Sequence, residues 1–244
     1  MANVLFVTSG KGGVGKSTVA SALGLTYAAN GSRTVIIELD IGLRGLDLML
    51  GVEDRAVYDL GNILRGECRL SDGVIPVTPD GSLSLVVAPS GISSRIDYDD
   101  VVALVKALSG YFETVIVDAP AGIGVSLLIA PQVAATVLVV ATPDLISARD
   151  AGRLVSMLEQ YGAAKVRLII NKVHHKKIRL NELTDLDTVI DMAGAQLIGV
   201  VPVAEELSSS AFCEAGLPAG SLAGKVFQRI VTRLAGDYVE LLIQ

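Results

Sequence analysis

A lysine and a hydroxyl standing one after the other behind a run of glycines carry the most chemistry in this chain. Gly10, Gly15, Lys16 and Ser17 fit the spacing G-x-x-x-x-G-K-[ST], with Lys11, Gly12, Gly13 and Val14 between them and Thr18 following. Glycines let the backbone curl so that successive amides face one centre, and a helix beginning there adds its positive end. Phosphate oxygens fit such a cradle. Lys16 would reach the β- and γ-phosphates, and the Ser17 hydroxyl would ligate Mg²⁺. The pattern has this meaning only between a strand and a helix. Residues 4–8 are apolar and β-branched, and residues 17–30 read as a helix closed by Gly31, so both elements are predicted.

The elements that must position this loop recur along the chain. Strands are predicted at 4–8, 34–39, 83–88, 114–118, 136–141, 166–171 and 197–203, with helical stretches at 101–108 and 148–161 among those between them. Strands this uniformly apolar belong to a parallel sheet covered on both faces, and their alternation with helices implies right-handed crossovers. The predicted fold is α/β, a doubly wound and mainly parallel sheet with helices on both faces. Finding no linker, repeat or low-complexity segment, we expect residues 1–244 to form one domain.

Such sheets bind ligands at the carboxyl ends of their strands. Asp40, Asp118, Thr142-Pro143-Asp144 and Asn171 all fall there. Asp118 ends an apolar run, the pattern of a carboxylate that holds the Mg²⁺ shell. Asp40 opens a Gly-punctuated loop, where a carboxylate would orient an attacking water or bind a metal-bound one. Gly122 and Gly124 make residues 118–122 a loop that would sense a γ-phosphate through a backbone amide.

Composition narrows the alternatives. Hydrophobic residues are 51% of the 244 and charged residues 19%, with a mean hydropathy of +0.55, so a membrane span has to be considered. The longest apolar region, 125–141, is broken by Pro131 and Gln132, short of the ~18 residues a span requires. Apolar residues begin within three positions of Met1, so no leader peptide is expected. A net charge of −6 disfavours a broad nucleic-acid surface. Cys68 and Cys213 are isolated, which argues for reduced thiols and against zinc or an iron–sulfur cluster.

Residues 10–18, with the extra Lys11, resemble the deviant Walker A motif of the MinD/ParA family of P-loop NTPases. The loop Asp40-Ile41-Gly42-Leu43-Arg44-Gly45-Leu46-Asp47 and the run Asp118-Ala119-Pro120-Ala121-Gly122-Ile123 resemble its MinD branch. Tyr58-Asp59-Leu60 and Ala148-Arg149-Asp150 do so too. The resemblance runs in order from Asn3 to the neighbourhood of Pro218. It implies an ATP-dependent homodimer closing around two ATP molecules, with Lys11 of one subunit reaching the phosphates bound by the other. Catalysis would rest on Lys11, Lys16 and Asp40, and Mg²⁺ on Ser17, Asp40 and Asp118. Asn171 would read adenine, flanked by Pro202 and Val203. Asn171-Lys172-Val173 also lacks the aspartate of the guanine-reading N-K-x-D pattern, which favours ATP over GTP. The role implied is division-site placement, through a protein partner that regulates septum assembly. The implied location is the cytoplasm, with the inner face of the membrane as a peripheral surface. Two alternatives are a DNA-partition ATPase, disfavoured by charge, and a non-catalytic nucleotide-sensing scaffold.

The sequence departs from the branch at three places. Gly45 stands where asparagine is usual. Gly152 replaces the second acidic residue of R-D-x-D-R, read as the loss of a partner-facing contact. The basic amphipathic tail is not seen at 241–244. The last helix is expected to carry Leu222, Val226, Ile230, Leu234 and Tyr238 on one face, with Lys225, Arg229 and Arg233 as a basic stripe. Amphipathicity is ordinary for a surface helix, so docking on the sheet is favoured over a lipid surface. The cluster Lys172, His174, His175, Lys176, Lys177 and Arg179 is read as a solvated loop.

Overall fold

Strands that are apolar at every position have no face to offer water, and the sheet they build here is covered on both sides. The structure is a computed structural model that describes residues 2–41, 44–89, 91, 96–174, 184–208, 212 and 216–242. The elements run β1 (Asn3–Thr8), α1 (Lys16–Ala29), β2 (Thr34–Glu38), α2 (Leu46–Met49), α3 (Leu60–Leu64), α4 (Leu70–Gly73), β3 (Ile75–Pro76) and β4 (Leu83–Val86). They continue α5 (Tyr98–Leu108), β5 (Thr114–Asp118), α6 (Gly124–Val133), β6 (Thr136–Ala141), α7 (Leu145–Gln160), β7 (Val166–Val173), α8 (Leu186–Ala193), β8 (Gln196–Pro202) and α9 (Leu222–Ala235). The strand order is β3-β4-β2-β5-β1-β6-β7-β8, parallel throughout except for the antiparallel β3–β4 pair.

Alternate residues of each strand feed two cores. On one face Phe6, Ile37, Val117 and Ile170 pack with residues of α5 to α8, such as Val105, Ile129, Leu154 and Val189. On the other Leu5, Ile36, Ile116 and Ile169 pack with α1 and α9 through Leu23, Phe227 and Ile230. Full burial of each large side chain contributes roughly 1.5–3 kcal/mol before the entropy of ordering. No helix among the described residues is long and apolar enough to cross a membrane. The stretch that raised that question divides into α6, with Pro131 in its last turn, and β6.

α9 lies on the sheet. Its Val226, Phe227 and Ile230 are buried, and Ile230 sits over Gly199 of β8, where an added Cβ would come within 2.4 Å of Ile230 Cγ1. The helix stops at Gly236, whose φ of 104° suits glycine. Tyr238 is therefore beyond the helix and 89% exposed, not a member of its apolar face. Part of the basic stripe is used internally. Arg229 Nη1 donates to Glu240 O at 3.2 Å, and Arg233 donates to Val239 O and Leu197 O at 2.8 and 3.0 Å.

Gly152 has a packing reason. A Cβ there would lie 2.2 Å from Met192 O, so its absence lets α7 and α8 approach. The position faces a neighbouring helix, and the expectation of a lost partner-facing contact gives way to helix packing.

Candidate functional site

Register brings the carboxyl ends of three strands together. Val7 of β1 and Glu38 of β2 both pair with Asp118 of β5. The Gly-rich loop leaves β1 immediately afterwards and enters α1 at Lys16, which is 7% exposed. Gly13 and Gly15 have φ of 77° and 92°, values that glycine adopts without strain. Gly10 abuts α7, where a Cβ would lie 2.5 Å from Asp150 O, and Gly12 approaches Ala121. Ser17 and Thr18 follow in the first turn of α1.

Asp118 is fully buried, and neither carboxylate oxygen has a hydrogen-bond partner of ordinary geometry among the described residues. Burial pushes its pKa up to about 7; the nearby Ser17 hydroxyl and the Lys16 ammonium pull it down, and Glu38 and Asp40 push it up. A buried carboxylate with open lone pairs beside a lysine and a serine suits a small hard cation. Mg²⁺ needs only one or two carboxylates together with phosphates and waters. The absence of a cluster of three or more metal-ligating side chains among the described residues is compatible with that demand.

Asp40 follows β2 and is half-buried; Gly42 and Leu43 of its loop lie outside the described residues. Glu38, which sequence reasoning passed over, organises this corner. Its Oε1 accepts from Gly45 N and Leu46 N at 2.8 and 3.0 Å, and its Oε2 from Ala88 N at 3.1 Å. Burial raises the Glu38 pKa, while those three amides oppose the shift. Gly45 thus opens α2 with its amide on Glu38. An acidic residue at the last position of an apolar strand was the available signal.

Gly122, with φ of 104°, donates its amide to Ser9 O at 3.2 Å. Reaching a γ-phosphate would exchange that acceptor for another. Asn171 and Lys172 of β7 both reach the Gly-rich loop: Asn171 Nδ2 donates to Val14 O at 2.9 Å, and Lys172 Nζ to Gly13 O at 2.7 Å. Lys172 adopts φ 59°, the one positive φ outside glycine among the described residues. It is exposed, as expected, and also braces the loop through that bond. His175, Lys176, Lys177 and Arg179 of that basic cluster lie outside the described residues. Val203 N donates to Val173 O at 3.1 Å, which sets Pro202 and the half-exposed Val203 beside the end of β7.

Lys11 leaves the loop in another direction. Its ammonium meets Asp144, the N-cap of α7, which also accepts from Ser147 N and the Thr142 hydroxyl at 2.9 and 2.6 Å. Partial burial would raise the Asp144 pKa, but those two bonds and the Lys11 charge hold it below the ordinary value. Cys68 is a free thiol, and Cys213 lies outside the described residues.

A Gly-rich strand-to-helix loop of this form, with the buried Asp118 carboxylate at the end of the neighbouring strand β5, defines a P-loop nucleotide-binding protein. Residues 5–214 match the CobQ/CobB/MinD/ParA nucleotide binding domain. The chain is 34% identical over 248 residues to the septum site-determining protein MinD of Synechocystis, covering 99% of this chain and 92% of that one. It superimposes on the MinC:MinD cell division protein complex of Aquifex aeolicus with a TM-score of 0.87, 30% identity and 99% of each chain covered. MinD of Pyrococcus horikoshii, solved with Mg-ADP, gives a TM-score of 0.82 at 23% identity, covering 97% of this chain and 98% of that one. The chain therefore belongs to the MinD/ParA family of P-loop ATPases.

Proposed function

We propose that residues 1–244 form one Mg²⁺-dependent ATPase domain. It hydrolyses ATP to ADP and phosphate and alternates between a monomer and a dimer closed on two ATP molecules. The observation that best supports it is the buried, unpartnered Asp118 carboxylate beside Lys16 and Ser17 at the Gly-rich loop. Ser17, Asp118 and Asp40 would hold Mg²⁺, which when bound supplies positive charge at the phosphate oxygens. The amides of Gly10 to Thr18 and the Lys16 ammonium bind the phosphates, and Asp40 orients the water. Asn171, Pro202 and Val203 border the space for the base, and Gly122 offers an amide toward the γ-phosphate.

Lys11 of one subunit would complete the site of the other. Positioning rather than covalent chemistry carries phosphoryl transfer, so turnover by the isolated monomer is slow. The names of the relatives point to placement of the division septum as the role. A MinC:MinD complex in Aquifex suggests the kind of partner, a protein that regulates septum assembly. The proposed location is the cytoplasm, with the inner face of the cell membrane as the surface to test.

Lys16→Ala loses nucleotide binding by roughly tenfold or more, as removal of a charge-assisted contact should. Lys11→Ala binds ATP but fails to hydrolyse it. Nucleotide titration and phosphate release check the two; full ATPase activity in Lys11→Ala overturns the sandwich mechanism.

A further inference from the structure

At the amino ends of β7 and β8, far from the Gly-rich loop at the carboxyl ends of the sheet, lies a polar hollow of about 360 Å³. Strand periodicity explains its walls. Arg167 precedes Ile169 by two, and Ile169 packs in the α1–α9 core, so Arg167 faces that side; Gln196, opposite Arg167, lines the same hollow with Ile198 just before a register shift against β7. Arg167 and Gln196 lie under the last turn of α9. Lys165, Arg233, Asp237 and Tyr238 complete the polar lining.

In a chain of net charge −6, this lining carries three cations against one carboxylate, a surplus of two positive charges. Among the described residues, none of the three cations is in an ion pair. Lys165 is exposed, and Arg167 spends one Nη1 bond on its neighbour's carbonyl, Val166 O, at 2.9 Å. Arg233 is fixed by its bonds to Leu197 O and Val239 O, while its Nε is buried with no described acceptor. With both terminal nitrogens on carbonyls and Nε buried, Arg233 supplies a fixed positive charge to the hollow rather than an open fork, and Lys165 and the remaining donors of Arg167 are left to meet an oxyanion. The volume lies within the range of small-ligand sites.

We propose that this hollow binds a phosphoester anion, contacted by Lys165 and Arg167 in the field of the fixed Arg233 charge. The site is separate from the nucleotide loop, so both are filled together. The ester belongs either to a small metabolite or to the headgroup of an anionic lipid, with the same cations receiving it.

The test uses the full chain with Mg²⁺ and saturating ADP, so that phosphate cannot compete for the Gly-rich loop. Glycerol 3-phosphate is titrated calorimetrically, and vesicles of phosphatidylglycerol are compared with phosphatidylcholine by sedimentation. The variant is Lys165→Gln with Arg167→Gln, which spares the Arg233 anchors; its ADP affinity and melting temperature should match the parent. Binding of glycerol 3-phosphate that weakens about tenfold or more in the variant supports a free phosphoester. Binding to phosphatidylglycerol vesicles alone, lost in the variant, supports a lipid source. Equal binding by parent and variant, or no binding of either probe, overturns the proposal.

Discussion

Lys11 Nζ lies 3.7 Å from Asp144 Oδ1 within one chain, the lysine side chain 44% and the aspartate 40% exposed. The lysine proposed to act across a dimer is thus held at the N-cap of its own α7. A pair this exposed is worth about 0–1 kcal/mol, weak enough to be broken by ATP phosphates. Asp144→Asn keeps a cap for Ser147 N and removes the charge. We expect a stability change within about 0.5 kcal/mol and dimer formation at lower ATP concentration. Urea denaturation and light scattering check the two; an unchanged ATP requirement would show that the pair is not a restraint.

Glu38 is a second contact that a single atom can test. In Glu38→Gln one acceptor remains for Gly45 N and Leu46 N, but an amide NH₂ replaces the oxygen that faces Ala88 N. A buried donor set against a donor should cost about 1–3 kcal/mol in urea denaturation. A smaller loss would mean that water enters this corner.

Gly152→Asp introduces the acidic residue that the resemblance implied here, yet the contact with Met192 O leaves no room for any Cβ. Backbone on both sides must move, and a loss of roughly 2–4 kcal/mol is expected, close to that of Gly152→Ala. If alanine is tolerated and aspartate is not, charge rather than packing governs the position.

The Asp118 pKa predicts a proton linkage. Burial raises it from 3.8 to about 7, so the folded chain binds a proton that the unfolded chain does not. Its contribution to stability is full below about pH 4 and is lost as pH rises through about 7. Binding of Mg²⁺ and nucleotide should select the ionised form and release that proton. Affinity should therefore rise between about pH 6 and pH 8. Calorimetry at ~pH 6.5 in two buffers of different ionisation enthalpy measures the release. Asp118→Asn should abolish it, and equal heats in both buffers for the parent would refute the linkage.

Local patterns exposed the Gly-rich loop and most of the strands, because composition and periodicity are written in adjacent residues. Asp118 was legible for the same reason, as a lone charge ending an apolar run. What escaped depends on contacts distant in sequence. Lys172 reads as part of a basic loop until β7 sets it against Gly13, 159 residues away. Gly152 reads as a missing charge until α8 is seen to press on it. The edge strand β3 is only two residues long and carries no periodicity to detect. Glu38 looked like part of an apolar strand, and its three amide donors come from two distant segments, the start of α2 and the residues after β4.

The grip of β7 on the loop has a consequence for anion affinity. A peptide group is planar and trans, so its carbonyl and the next residue's N–H point in opposite directions. Lys172 draws the Gly13 carbonyl toward itself and Asn171 draws that of Val14. The N–H groups of Val14 and Gly15 are thereby turned away from β7. Two dipoles that would otherwise have to rotate when an anion arrives are already oriented, so the reorganisation cost of binding is met during folding.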